Sequence, residues 1–319
     1  MSHSKPDAEA LFQEAMDLVI RLQNEPGNEI SQDLIRRWRQ RSPSHEKAWT
    51  EAVTLHALAG KAITSRRRRQ AGTGAHLSRR TVVLGGGALA AAAVGVAFVP
   101  SLVLRSRADF MTMAAEVRLV PLPDGSQATL GPDSAIRLDF SPERRGVELL
   151  GGMVFFEVAK DAARPFQAQM DSLVATALGT AFDIREDAGV LSVSVDHGLV
   201  EARMPSSPIK DSVRLAEGEW IRLDMDTLEL EQGKREAGQI AAWRQGMIVA
   251  DRETISSVVA QIGRWQRSRI VFADSSLGSR RISGLFDLSK PQLALEAVVE
   301  PYGGKVRQIS PWLTVISSI

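Results

Sequence analysis

Apolar and polar residues alternate in short runs over much of the second half of the chain. Three such runs cover residues 136–140, 191–195 and 220–225. A period of two indicates a half-buried β-strand, and turn signals such as Asp124-Gly125 separate the runs at a spacing typical of all-β domains. We therefore predict an all-β domain over residues 108–235.

The pattern changes after residue 240. Apolar residues at Ile255, Val258, Val259 and Ile262 lie on one face of a predicted helix, and a second helix begins at Pro291. Short apolar runs flank both helices and give the order β-α-β-β-α-β-β. Residues 240–319 are therefore predicted to form a small α+β module.

Helical periodicity also marks residues 1–60. One predicted helix covers residues 7–23, a second holds Trp38, and a third begins at Ser42-Pro43 and carries Trp49. We predict a small all-α bundle with Trp38 and Trp49 as its main packing residues or as contacts to a partner. Sixty residues are close to the lower limit for an independent core, which leaves room for a partner to complete it.

Residues 81–104 are 24 consecutive residues without a charge. As a helix they would measure about 36 Å, enough for the roughly 30 Å core of a bilayer. Residues 61–80 form a basic linker with seven Lys or Arg and no acidic residue. The positive-inside bias predicts a single-pass helix with a cytoplasmic N-terminus and an external C-terminus.

The pair Arg79-Arg80 stands directly before this apolar segment. Residues 78–83 resemble a twin-arginine export signal, and simple topogenic charge is the alternative. The long region ahead of the segment favours an uncleaved anchor over a signal peptide.

Candidate chemistry is sparse. The chain has no Cys, which excludes disulfides, thiolate metal ligands and Cys nucleophiles. It has no Walker A, G-x-S-x-G or H-E-x-x-H signature. The pair Asp196-His197 is followed by Gly198, and we interpret it as a hairpin turn. We therefore predict no enzyme and no catalytic residue, bound cofactor or metal site.

The arginines between residues 36 and 41 raise the question of nucleic acid binding. Residues 1–60 as a whole hold seven basic and nine acidic side chains. This balance favours a protein-binding bundle without direct nucleic acid contact.

Taken together, these segments resemble the FecR family of membrane-spanning anti-sigma and sigma-regulator proteins. In the β domain the resemblance is carried by Asp124, Gly125 and Ser126, by Arg144 and Arg145, by Arg164, Pro165 and Phe166, and by Gly179, Thr180 and Phe182. Outside the β domain it is carried by Trp38, Pro43, His45 and Trp49, and by Trp243, Gly246, Gly284 and Phe286. Leu18, Gly131 and Met153 depart from the family pattern.

The resemblance implies a multi-domain protein of the inner membrane. Its cytoplasmic bundle would bind an extracytoplasmic-function sigma factor, with Trp38, Pro43, His45 and Trp49 as candidate contacts. Its periplasmic β domain would be solenoid-like, and its last module would resemble the secretin/TonB N-terminal fold. That module would receive the signalling domain of a TonB-dependent outer-membrane receptor, commonly for iron-complex uptake. If proteolysis releases the sigma factor, an intramembrane protease would be a further partner.

Two other functions stay open at this point. One is a membrane-anchored transcription regulator that binds DNA through residues 1–60. The other is an anchored periplasmic binding protein whose cytoplasmic part has no role. The sequence also leaves open whether the chain only inhibits its sigma factor or also activates it.

Overall fold

The computed structural model describes residues 28–50, 52–53, 107–204 and 212–318, with seven positions between residues 11 and 22. Arg79, Arg80 and the predicted membrane segment 81–104 lie outside the described residues. Among the residues that are described, no helix is long and apolar enough to cross a bilayer. The structure therefore does not show the membrane helix expected from the sequence.

The N-terminal part contains helix α1 (Glu29–Arg39), and residues 43–50 are also helical. Asn28 begins α1, because its side-chain Oδ1 accepts the backbone N–H of Ser31 at 3.2 Å. Three arginines stand in the last turn of α1, where cations interact favourably with the helix dipole.

Fourteen strands lie in the described part of residues 107–234. In chain order they are β1 (Phe110–Met111), β2 (Arg118–Pro121), β3 (Gln127–Leu130), β4 (Ala135–Phe140), β5 (Arg145–Gly151), β6 (Met153–Glu157), β7 (Phe166–Met170), β8 (Leu173–Ala177), β9 (Ala181–Asp187), β10 (Val190–His197), β11 (Leu199–Arg203), β12 (Val213–Ala216), β13 (Glu219–Asp224) and β14 (Leu230–Lys234). They form two sheets of seven strands, in the spatial orders β1-β4-β5-β7-β8-β11-β12 and β14-β13-β10-β9-β6-β3-β2.

The two sheets pack face to face around one apolar core. Its aromatic centre is Phe156 of β6, whose ring centroid lies 5.3 Å from Phe166 of β7 and 5.3 Å from Phe182 of β9. Phe166 and Phe156 belong to different sheets, so these rings join the layers. We call the two packed sheets, formed by the described part of residues 107–234, the sandwich.

The sandwich corrects the predicted solenoid-like fold. Successive turns of a β-solenoid stack parallel strands, whereas β5 and β7 are the only parallel pair among the described strands of the sandwich. The other neighbours pair antiparallel, as in β6 with β9. The prediction, which the family resemblance implied, was wrong. The alternating pattern could not correct it, because alternation reports which face of a strand is buried but not the direction of its neighbours.

The turn at Asp196-His197-Gly198 is a second correction. It joins β10 to β11, and these strands lie in different sheets. The chain therefore crosses between layers here instead of forming a hairpin. Gly198 has φ +89°, and an added Cβ would lie 2.7 Å from Cγ2 of Thr180, so this crossing requires glycine.

Residues 247–318 form the C-terminal module. Its elements are β15 (Met247–Thr254), α2 (Ile255–Gly263), β16 (Arg269–Phe272), α3 (Ser275–Gly278), β17 (Arg281–Asp287), α4 (Pro291–Val299), β18 (Gly304–Ser310) and β19 (Leu313–Ser318). Strands β15 and β17 form one sheet, and β16, β19 and β18 form another. The single-turn helix α3 is absent from the predicted order, and Asp274 caps it by accepting the backbone N–H of Ser276 at 2.9 Å.

The sandwich and the C-terminal module share a second apolar core. Met153, Phe155 and Ala181 of the sandwich pack in one cluster with the inner faces of α2 and α4. Strand β6 therefore contributes to two cores, because Phe156 faces the sandwich interior and Phe155 faces the module.

The structure does not show the separate all-α bundle predicted for residues 1–60. Trp38, Trp49 and Ala52 are buried in a cluster that also contains Ile309 of β18 and Val315 of β19. The guanidinium of Arg307 lies 5.2 Å from the ring centroid of Phe12. These short helices do not enclose a core by themselves, and a sheet face covers the rest of their apolar surface.

Candidate functional site

Trp38 and Trp49, two candidate sigma-factor contacts, are packing residues in this structure. Trp38 is buried, and its indole Nε1 donates to Oε2 of Glu14 at 2.8 Å. The ring of His45 meets Trp38 edge to face at a centroid distance of 4.8 Å, and its Nδ1 lies 2.8 Å from Oγ of Ser42. The tryptophans are therefore positioned to hold the helices together rather than to present a surface.

The exposed feature of the same helices is a groove where α1 meets the next helix. We call it the arginine groove; it is lined by Arg36, Arg39, Gln40, Arg41, Ser42, Pro43 and Glu46. Arg39 donates to both carboxylate oxygens of Glu46, at 2.6 and 2.8 Å. The hydrogen bond from Arg39 lowers the pKa of Glu46. Arg36 and Arg41 are exposed at this groove and suit an acidic or polar partner.

The Asp124-Gly125-Ser126 motif forms part of a buried hydrogen-bonded cluster around Arg145. Arg145 is 1% exposed, and its Nη1 donates to Oδ2 of Asp124 at 3.0 Å. Its other guanidinium bonds go to the backbone oxygens of Arg164 at 2.7 Å, Ala159 at 3.0 Å and Asp161 at 3.2 Å. One guanidinium therefore joins two loops of the sandwich, the β2–β3 loop and the β6–β7 loop, a role that fits its five donors.

The remaining residues of the β-domain motif also serve packing. Arg164 donates from Nε to Oδ2 of Asp161 at 2.9 Å and from Nη1 to the backbone oxygen of Pro142 at 3.1 Å. Pro165 leads directly into β7, whose Phe166 is in the core. Gly179 has φ +117°, and an added Cβ would lie 2.5 Å from Cγ of Lys160. Thr180 is buried and accepts the backbone N–H of Val158 at 2.9 Å through its carbonyl oxygen.

The candidate residues of the C-terminal module lie at its contact with the sandwich and in its own core. Trp243 is buried, and its Nε1 donates to Oδ1 of Asp183 on β9 at 2.9 Å. Gly246 has φ +76° and ends a short 3-10 helix. An added Cβ at Gly284 would lie 3.0 Å from the ring of the buried Phe286. The structure thus brings Trp243 to the sandwich and leaves Gly284 and Phe286 on β17.

Sequence reasoning missed a cluster of charges where the sandwich meets the C-terminal module. Oε1 of the buried Glu253 lies 3.1 Å from Arg185, 3.0 Å from Arg235 and 3.5 Å from Arg222. Gln261 of α2 donates to Oε2 of Glu253 at 2.8 Å and accepts from Arg185 at 3.1 Å. We call these five residues the junction cluster. It joins β9 and β13 of the sandwich to β15 and α2 of the module.

The junction cluster favours ionised side chains at neutral pH. Burial works to raise the pKa of Glu253, but Arg185, Arg235 and Arg222 outweigh it and the pKa is lowered. Beside the cluster, burial raises the pKa of Asp187 to about 6 despite Arg264 and Arg185. Burial likewise raises the pKa of Asp183, against the attraction of Arg185.

The alternation of β9 hides this cluster from sequence analysis. Asp183, Arg185 and Asp187 stand at every second position, on the strand face opposite to Phe182 and Ile184. That pattern predicts a solvent-exposed face, yet all three side chains are buried because the C-terminal module covers them. Across the part of the chain that the structure describes, no group of His, Cys, Asp and Glu is arranged to hold a metal ion.

Two protein-family profiles match separate regions of the chain. The profile of the FecR protein family matches residues 108–201. A domain of unknown function, DUF4880, which corresponds to the FecR N-terminal region, matches residues 13–55. No curated protein matches the chain.

Two solved structures from Parabacteroides distasonis ATCC 8503, each described as a "putative anti-sigma factor", resemble this chain. The structure at 1.65 Å resolution has a TM-score of 0.60 and 26% identity, and the similarity covers 66% of this chain and 98% of that one. The structure at 2.50 Å has a TM-score of 0.59 with the same identity and coverage. Together with the two profile matches, they confirm the resemblance to the FecR family that was drawn from the sequence.

Proposed function

We propose that this chain regulates a sigma factor by binding it through the N-terminal helices. The main support is the structural similarity to two solved proteins described as anti-sigma factors. The similarity covers 98% of the length of those proteins. The match of residues 13–55 to the FecR N-terminal region supports the assignment of binding to these helices. An extracytoplasmic-function sigma factor is the partner that the family resemblance implies.

The exposed surface favours the arginine groove as the contact. Trp38 and Trp49 are buried against neighbouring helices, whereas Arg36 and Arg41 are exposed beside the exposed Pro43. Charged groups at the rim of an interface steer association and fix its register. Binding should therefore depend directly on the arginines and indirectly, through folding, on the tryptophans.

The test is affinity purification of the tagged full chain from its native cells, with identification of bound proteins by mass spectrometry. The expected result is recovery of a sigma factor with the wild-type chain and about tenfold less with Arg36→Glu/Arg41→Glu. The exposed Lys47→Glu is the matched control and should retain the sigma factor. Recovery of no sigma factor by the folded wild-type chain would contradict the proposal.

We place the chain in the inner membrane, with residues 1–60 in the cytoplasm and residues 108–319 in the periplasm. The support is the uncharged segment 81–104 behind the basic linker 61–80. This topology would separate Phe12 from Arg307, which lie in contact in the structure. Since the chain has no native Cys, Phe12→Cys/Arg307→Cys with a short bis-maleimide reports this contact specifically. We expect cross-linking in the unexported chain and no cross-linking in intact membranes. Cross-linking in intact membranes would contradict the topology.

We also propose the nature of the external signal to which the chain responds. The family resemblance points to the signalling domain of a TonB-dependent receptor and to iron-complex uptake. An edge of the C-terminal module is the surface that fits, since β17 pairs only with β15 within the described residues and exposes Leu285. Sigma-dependent transcription should rise when an iron complex is supplied, and Leu285→Pro should abolish that rise by blocking strand addition. An unchanged response in Leu285→Pro would exclude this edge.

A further inference from the structure

The leading segment of the sandwich, residues 107–116, connects it to the chain that comes before. The backbone N–H of Asp109 donates to the carbonyl oxygen of Ile136 at 2.9 Å, and that of Thr112 donates to the carbonyl oxygen of Ser134 at 2.9 Å. The N–H of Met113 donates within the segment, to Oε2 of Glu116 at 2.8 Å, and the donor after it reaches beyond the sandwich. The N–H of Ala115 donates to the carbonyl oxygen of Arg264, in the C-terminal module, at 2.9 Å.

Arg264 occupies the C-cap of α2, and its side chain returns to the sandwich. Nη2 donates to the carbonyl oxygen of Glu186 and, at 3.3 Å, to Oδ1 of Asp187. Nη1 donates to the carbonyl oxygen of Asp133 at 3.4 Å. The side chain is only 14% exposed. One residue therefore contacts the end of β9, the loop before β4 and the leading segment.

Two of the contacted residues hold unfavourable backbone conformations. Ala115 has φ +61° and Asp133 has φ +51°, in the left-handed region. For a residue with a Cβ this conformation costs roughly 1–2 kcal/mol. The N–H of Asp133 also donates to the carbonyl oxygen of Met113 at 3.2 Å, so this loop residue is bonded to the leading segment. Without the contacts to Arg264, leaving the left-handed conformation would lower the backbone energy of Ala115 and Asp133.

Helix α2 belongs mechanically to the C-terminal module. Its Val258, Val259 and Ile262 are buried in the module core, and its Gln261 takes part in the junction cluster. A displacement of the module therefore moves Arg264 with respect to the sandwich. We propose that Arg264 is a positioning residue that couples the C-terminal module to the leading segment: it holds residues 107–116 while α2 is docked and releases them when α2 moves.

This coupling gives the proposed sigma regulator a route from its last module to the residues that lead toward its N-terminal helices. The regulatory part of the inference rests on the proposed function. The physical part does not, because it concerns contacts within the chain. The two parts are therefore tested by separate measurements.

The physical test is hydrogen–deuterium exchange of the full chain with Arg264→Ala, Arg264→Lys and Arg267→Ala. Each variant keeps the backbone carbonyl that accepts from Ala115, so any change there reports the position of the α2 end. In Arg264→Ala, exchange in residues 112–116 should rise about tenfold, the effect of losing roughly one charge-assisted hydrogen bond. Core amides of β9 and β10 should stay protected.

Arg264→Lys should give a smaller rise, because an ammonium cannot reach three acceptors in the geometry of a guanidinium. The exposed Arg267→Ala is the matched control and should leave exchange unchanged. Unchanged exchange of residues 112–116 in Arg264→Ala would overturn the coupling. Equal loss of protection throughout the sandwich would also overturn it, because Arg264 would then only support the fold.

The regulatory test is sigma-dependent transcription in cells that carry each variant. Arg264→Ala should make the output independent of the external signal, whereas Arg267→Ala should respond like the wild type. A normal signal response in Arg264→Ala, with the exchange effect present, would overturn the regulatory part of the inference. If the wild-type chain itself neither binds a sigma factor nor alters transcription, the proposed function fails while the exchange result still decides the coupling.

Discussion

The core of the sandwich and its junction with the C-terminal module are both buried, but only the junction adds charged side chains to its apolar packing. The core consists of apolar side chains around Phe156, whereas the charged part of the junction centres on Glu253 and three arginines. Apolar packing tolerates small adjustments, while a buried charge needs its partners in place. The core therefore specifies that the sheets pack, and the junction specifies how the module sits on them.

The largest effect is expected from breaking the core. Phe156→Ala should lower the free energy of unfolding by about 3–5 kcal/mol, because it leaves a cavity between Phe166 and Phe182. Urea denaturation followed by circular dichroism measures this change. Gln167→Ala, on the outward face of β7, is the control and should change stability by less than about 0.5 kcal/mol. Equal effects of the two substitutions would contradict the assigned core.

A comparable or slightly smaller effect is expected from breaking the junction cluster. Glu253→Gln keeps the size of the side chain but leaves Arg185, Arg222 and Arg235 without their shared carboxylate. Removing one partner from a buried ion pair costs roughly 3–5 kcal/mol, and the amide oxygen should recover part of this. The same denaturation assay applies, with the exposed Glu217→Gln as control. A loss no larger than that of the control would show that the cluster does not hold the junction.

A single hydrogen bond at the junction should contribute less. Trp243→Phe preserves most of the packing but removes the N–H that donates to the buried Asp183. An unsatisfied buried acceptor costs about 1–3 kcal/mol. A double-mutant cycle with Asp183→Asn isolates this coupling, and additive effects of the two substitutions would argue against the bond.

The smallest expected effect is the pH dependence of the junction. The pKa of Asp187 is raised to about 6 by burial, so the folded chain binds this proton more tightly than the unfolded chain. The free energy of unfolding should therefore increase by about 1 kcal/mol as pH falls from 7.5 to 5. The pKa of Glu253 is lowered, so its stabilising contribution should be lost as pH falls below the unfolded value of about 4.3.

Denaturation at several pH values checks this dependence. Asp187→Asn should remove the increase between pH 7.5 and 5 and leave the loss below pH 4. Persistence of the full increase in Asp187→Asn would assign it to another group, with Asp183 as the next candidate because its pKa is also raised.

The contrast between core and junction also explains what the sequence could predict. The runs at residues 136–140 and 191–195 lie inside β4 and β10, because alternation records which face of a strand meets the core. The same alternation gives no sign of burial at β9, where Asp183, Arg185 and Asp187 have the pattern of a solvent-exposed face but lie under the module. Strand pairing leaves no local signal, so the residues could not correct the solenoid that the family resemblance implied where antiparallel layers occur.

The candidate site was predictable only in part for the same reason. The motif segments at Asp124 and Phe166 identified the family, but they stabilise the sandwich and do not present a binding surface. Arg145 organises the first of these segments, yet its sequence neighbours do not reveal that it is buried. Trp38 and Trp49 were expected either as packing residues or as contacts to a partner, and both are buried in the structure. The arginine groove becomes visible only when Arg36 and Arg41 are placed beside Pro43.

The central claim is that the N-terminal helices bind a sigma factor and not DNA. The most direct measurement is fluorescence anisotropy with the purified full chain, titrated in parallel against the labelled sigma factor recovered by affinity purification and against labelled promoter DNA. The account predicts saturable binding to the sigma factor, weakened about tenfold by Arg36→Glu/Arg41→Glu, and no binding to the DNA at physiological salt. Saturable binding to the DNA without binding to the sigma factor would contradict it.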